Sequence, residues 1–188
     1  MTHQSLHDRH PHDERGFSLV ESMIALGVVM VGVLGIAQVY VMGINHLMGA
    51  SAGLVAREKA REALESIHAA RDARTISWDQ LRNVAVPATG CAGTTLGGGI
   101  FVNGATSLYR PGADGLVNTT NASTTLETSP GPDGRLGTSD DQALVNYQRD
   151  VRFCDVATGL REVTVTITYS VGGSTRTYTL KSLISSWS

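Results

Sequence analysis

From Phe17 to about Met48 the chain runs apolar, and its only strongly polar residues there are Glu21, Gln38, Asn45 and His46. A bilayer core needs about 20 apolar residues of helix, so this run is long enough to span one. It holds no proline. Gly27, Gly32, Gly35 and Gly43 lower helix propensity in water but are common in membrane helices. The difficulty is Glu21, four residues into the run. A charge at the bilayer centre costs roughly 2.5–3.5 kcal/mol on insertion scales, and less near the edge.

Three readings account for the run differently. A secretory signal peptide is supported by Ala50–Ser51–Ala52, which has the small-residue pattern of a cleavage site. Such peptides, however, have an apolar region of roughly 7–15 residues behind a basic head. Here the run is about twice as long, and Asp8, Asp13 and Glu14 precede it. A plain membrane anchor is the second reading, with Glu21 reaching the interface some 6 Å along the helix from Phe17. That explains the hydrophobicity but leaves the acid without a purpose.

The third reading begins at the junction "RGFSLVES", residues 15–22. It resembles the type III signal of type IV pilins and of type II secretion pseudopilins. The resemblance implies that a membrane peptidase cuts after Gly16, that Phe17 becomes the N-methylated first residue, and that Glu21 is the fifth residue of the mature chain. It also resolves the acid. In a filament each apolar helix leaves lipid and packs on its neighbours, and a buried carboxylate there requires an opposite charge. Cleavage exposes one, the α-amino group of Phe17 on an adjacent subunit. Residues 1–16 would then be a cytoplasmic leader, 17–48 a transmembrane and filament-core helix, and 49–188 a periplasmic or extracellular head.

The rest of the chain reads as α+β, a long helix packed on a C-terminal antiparallel sheet. From Gly49 to about Arg74 the pattern turns amphipathic: Ala56, Ala60, Ala63, Leu64, Ile67 and Ala70 recur at helical spacing, while Arg57, Glu58, Arg61, Glu62 and Glu65 fall elsewhere. One helix from about Phe17 to Arg74 is predicted. Gly49 and Gly53 form a G-x-x-x-G spacing that admits another helix or serves as a flexible point. Pro87, Gly90 and the glycines of 93–99 open a loop-rich region. Residues 118–129, "NTTNASTTLETS", read as a solvated loop, and the sequons at Asn118 and Asn121 matter only in a glycosylating host. Further on, Tyr147, Val151 and Phe153 share one strand face. Val163, Val165, Ile167, Tyr169 and Val171 alternate with Thr164, Thr166, Thr168 and Ser170. A Gly172–Gly173 turn then leads to a strand with Tyr178, Leu180 and Ile184 inward. Helix plus hairpin is the architecture that the resemblance implies. The late strand pair and "VVMVGVLGIAQ" are similar to minor pilins of the PilV type, the type IV pilus modification proteins.

Cys91 and Cys154 both follow the apolar run. Outside the cytoplasm pairing is favoured and would be worth about 4 kcal/mol in the chain-entropy model; the alternative is two buried thiols. His7, His10 and His12 lie in a polar tail that reads as solvated. "PGPDGRLGTSDDQ", residues 130–142, brings Asp133, Asp140 and Asp141 into one turn. Three close carboxylates repel unless neutralised, and hard oxygen ligands suit Ca²⁺. The spacing is not that of an EF-hand. It resembles the D-G…D-D loop through which major pseudopilins hold calcium, and Asp114 in "PGADG" either joins it or forms its own turn.

A net charge of −2 gives no reason to expect nucleic-acid binding by the bulk of the protein. Arg149, Arg152, Arg161, Arg176 and Lys181 are too dispersed in sequence to show a basic strip. No G-x-S-x-G elbow is present, and "GTTLGGGI" lacks the close of a P-loop, so no enzyme is expected. The function expected from the resemblance is that of a minor pilin, membrane-inserted with its N-terminus inside and then carried into the pilus. Its implied partners are prepilin peptidase, an inner-membrane assembly platform and other major and minor pilins. The alternatives are a minor pseudopilin of type II secretion, or a membrane-anchored calcium-dependent adhesin or DNA-uptake module.

Overall fold

The computed structural model describes residues 18–86, 91 and 97–186; of residues 45–48 it describes the backbone alone. The leader, Gly16 and Phe17, together with Pro87, Gly90 and most of the glycine-rich stretch after Cys91, lie outside the described residues. In order, the elements are α1 (Leu19–Asp72), β1 (Thr106–Ser107), β2 (Thr128–Ser129), β3 (Gln142–Ala143), β4 (Tyr147–Ala157), β5 (Leu160–Val171) and β6 (Ser174–Ser185). The chain divides into two compact units, Met1–Ile44 and Asn45–Ser188.

In the first unit the described residues form the opening stretch of α1. Residues 18–44 are all exposed, Val31 and Ile36 at 72% and 73%. An apolar surface of this kind is unstable in water and must be covered by lipid or protein.

In the second unit α1 has a stripe of small side chains. Ala56, Ala60 and Ala63 are fully buried with Ile67, and Leu64 packs against the same cluster. These small residues share one buried cluster with β4 and β5, whose Val151, Val163, Val165 and Ile167 complete the core. Burying each of the larger aliphatic side chains is worth roughly 1.5–3 kcal/mol. The Gly49–Gly53 spacing serves this same contact. A Cβ at Gly49 would meet the Arg176 guanidinium at 3.0 Å, and one at Gly53 the Tyr169 hydroxyl at 3.3 Å. The sheet, and not another helix, occupies that face.

The helix ends two residues before the predicted Arg74. The Arg74 N–H donates to the Arg71 carbonyl and the Thr75 N–H to the Ala70 carbonyl, with Arg74 at φ 56°. This is a Schellman end with arginine where glycine is usual.

The main sheet has the order β1-β4-β5-β6, all antiparallel, and β2 pairs separately with β3. The predicted alternation holds in β5, where residues 161, 163, 165, 167 and 169 are buried. Gly172 and Gly173, at φ 58° and 79°, form the two-residue turn between β5 and β6, where both positions require a left-handed backbone.

Two expectations are corrected. Residues 118–129 are not a solvated loop throughout: Asn118, Thr119 and Glu127 are buried, so the Asn118 sequon is inaccessible. Arg149 and Arg161, two of the five cations weighed for a basic strip, are each 1% exposed and cannot contribute to one. They occupy inward positions of β4 and β5, in register with Val151 and Val163.

Candidate functional site

Among the described residues the N-terminal segment starts with Ser18, whose carbonyl accepts the N–H of Ser22 at 3.1 Å at the opening of α1. Glu21 falls in the first turn, where the helix dipole favours a negative charge. It is the sole charged residue of the helix from Leu19 to Ile44, and it is exposed. Among the described residues no ion pair reaches it. It stands as a lone carboxylate on an otherwise apolar, exposed helix face. α1 is also long and apolar enough to cross a membrane.

The head is fixed by three polar arrangements that sequence reasoning did not find. In the first, Glu127 accepts from the Arg149 Nη1 at 3.0 Å and lies 2.9 Å from the Lys59 Nζ, which also reaches Glu62 at 2.8 Å. Arg149 further donates to the Tyr109 carbonyl at 3.0 Å. Burial pulls the Lys59 ammonium towards neutrality, but Glu62 and Glu127 outweigh it and hold its pKa above the usual lysine range. Burial likewise depresses Arg149, against the pull of Glu127. The network ties helix, loop and sheet together.

In the second, Arg161 donates to Asp155 at 2.6 Å, to the Leu81 carbonyl at 3.2 Å and to the Trp78 carbonyl, and its guanidinium lies 4.1 Å over the Trp78 ring. In the third, the Asn83 side chain donates to the Val151 carbonyl at 2.7 Å and accepts from the Phe153 N–H at 2.9 Å, covering part of the edge of β4 beyond β1. Next to it Cys91 and Cys154 form a disulfide, with Cα atoms 5.5 Å apart. The sequence signal for both arginines was their register: each lies two residues before a buried valine on an alternating strand. Asn83 had no comparable signal.

The acidic loop holds itself together. Asp133 accepts from the Arg135 N–H at 2.8 Å and Asp141 from the Gly137 N–H at 2.7 Å. Asp140 accepts from the Thr138 hydroxyl at 2.6 Å and the Asp133 N–H at 3.3 Å. Asp114 forms its own turn, accepting from the Leu116 N–H and the Thr119 hydroxyl. Among the described residues no group of three or more His, Cys, Asp or Glu side chains is placed to hold a metal ion. Each of these carboxylates accepts a hydrogen bond within its own turn, while Asp141 Oδ1 is buried without a hydrogen-bond partner.

Compared with known proteins, residues 11–37 match the family described as the prokaryotic N-terminal methylation motif. The matched segment contains Gly16, Phe17 and Glu21 and extends into the exposed apolar part of α1. No curated protein and no solved structure matches the chain. The match supports a type IV pilin-like N-terminus, of the kind processed by prepilin peptidase and anchored in the membrane before assembly. The α+β arrangement of one long helix and an antiparallel sheet is consistent with a pilin fold.

Proposed function

We propose that this chain is a minor subunit of a type IV pilus. It is inserted in the inner membrane with its N-terminus inside, cut after Gly16, methylated on Phe17 and drawn into the filament by an inner-membrane assembly platform. There it joins other major and minor pilins at or near the tip. The single observation that carries this reading is the methylation-motif match ending in an exposed apolar helix whose sole charge to Ile44 is Glu21. The exposed helix supplies the surface that must be covered, and Glu21 supplies a site for the amine that cleavage creates. The role is structural, with no catalytic constellation assigned.

Mass spectrometry of protein from membranes or sheared filaments tests the proposal directly. N-methyl-Phe17 as first residue supports it, whereas Gly53 as first residue would establish secretory cleavage. Co-purification with sheared pili, as opposed to a secretion complex, separates a pilin from a pseudopilin. The calcium expectation is tested separately from the filament reading. A calorimetric titration with heat and a raised Tm would support Asp133, Asp140 and Asp141 as Ca²⁺ ligands, and the absence of both would reject them.

A further inference from the structure

Distances along α1 match the layers of a bilayer. Tyr40, 71% exposed, lies about 28 Å along the helix from Glu21, and Gly49 about 42 Å along it. A bilayer has a hydrocarbon core of about 30 Å, and measures about 40–45 Å with its headgroups. With Glu21 at one surface, Tyr40 falls at the far edge of the hydrocarbon, where tyrosine is favoured. Gly49 falls in the far headgroup layer.

The head places an arginine at that level. A Cβ at Gly49 would meet the Arg176 Nη1 at 3.0 Å and its Cζ at 3.4 Å, so the guanidinium lies against the helix backbone there. Arg176 is exposed, near the start of β6. Among the described residues no ion pair reaches it. The surrounding segments supply no acid: residues 45–57, 142–148 and 168–178 contain neither Asp nor Glu. These segments are tied together. The Ser170 N–H donates to the Asn146 carbonyl at 3.2 Å, and the Tyr147 hydroxyl to the Ala52 carbonyl at 3.3 Å. Between them Val145 is 64% exposed, an apolar side chain beside an unmatched cation.

Chemistry selects the partner. A guanidinium with no carboxylate beside it presents a planar fork of donors that fits two oxygens of a phosphodiester. In the headgroup layer such a charge also escapes the cost it would meet in hydrocarbon. We infer that Arg176 binds a phospholipid headgroup phosphate while the chain is anchored in the membrane, and so seats the head on the bilayer surface. The inference rests on the membrane anchoring proposed above. Arg57, whose guanidinium lies 5.7 Å over the Tyr178 ring, makes a natural control, since it starts about 12 Å further along α1 than Gly49.

The test uses the full-length protein in phosphatidylethanolamine–phosphatidylglycerol vesicles. Flotation first measures whether the vesicles retain it. Solid-state NMR then measures dipolar contact between arginine side-chain nitrogens and lipid phosphorus. Arg176→Gln should lower the contact signal by one arginine's share at unchanged Tm, and Arg57→Gln should leave it as in wild type. Arg176→Lys serves if Arg176→Gln lowers the Tm, since it too removes the guanidinium nitrogens. In phosphate-free detergent micelles, added inorganic phosphate should produce no contact at Arg176. Retained protein whose signal is the same with and without Arg176 would overturn the inference alone, as would an equal loss in Arg57→Gln or binding of free phosphate in micelles. Failure to float with vesicles would overturn the membrane anchoring as well.

Discussion

Glu127 and Arg149, 22 residues apart in the chain, meet at 3.0 Å in the interior of the head, 4% and 1% exposed. Removing one member of a buried pair strands the other charge, which costs roughly 3–5 kcal/mol. Glu127→Ala should therefore lower head stability by about that amount. Glu62→Ala, at a side chain 46% exposed, should cost under about 1 kcal/mol. Thermal unfolding followed by near-UV circular dichroism compares the two, and equal losses would show that the buried pair has no special weight.

The Cys91–Cys154 bond closes a span of 63 residues across the glycine-rich segment. In the chain-entropy model a loop of this length is worth about 4 kcal/mol. Reduction, or Cys91→Ser with Cys154→Ser, should lower the Tm markedly. An unchanged Tm under reductant would show that Asn83 and the Arg161–Trp78 contact hold this edge without it.

Arg74 keeps a left-handed backbone to end α1, a conformation that costs a non-glycine residue about 1 kcal/mol or more. Its side chain is exposed. Arg74→Gly should stabilise the head by about 0.5–1 kcal/mol, after the greater chain entropy of glycine is subtracted. A lower Tm in this variant would mean that the arginine side chain contributes more than its backbone costs.

The Thr138 hydroxyl on Asp140, and then the Asp133 N–H, hold that carboxyl below its usual range of about 3.8. A carboxyl depressed in the folded state stabilises it above the unfolded pKa, and the benefit is lost as pH falls through the folded value. The 130–141 loop should thus keep its hydrogen bonds at mildly acidic pH and open only below the ordinary carboxylate range. Amide exchange of Asp133 and Gly137 across a pH series follows this. Thr138→Val should move the opening to higher pH, and an unaltered transition would remove Thr138 as its cause.

Glu21→Ala should leave the protein in the membrane, since it removes the costly charge from an apolar helix. It should nevertheless abolish recovery in sheared filaments. Wild-type incorporation of this variant would show that the carboxylate has no assembly role.

Local chemistry made much of this molecule legible. The apolar run, the junction at Gly16–Phe17 and the alanine spacing of residues 56–70 each report on a single helix, and the β5–β6 alternation with its Gly-Gly turn reports on a single hairpin. Such patterns depend on neighbours one turn or one pleat away, so they survive in the sequence alone. Arg149 and Arg161 are buried because their register places them on the inward faces of β4 and β5. Their partners, Glu127 and the Trp78–Leu81 carbonyls, come from distant segments that no periodicity links to them. The acidic loop shows the same division. The sequence by itself determined that three carboxylates would crowd one turn. Only the tertiary structure decided which backbone N–H groups and which threonine hydroxyl would bond to them, and that Asp141 Oδ1 would stay buried without a partner, because hydrogen-bond geometry depends on how the turn closes.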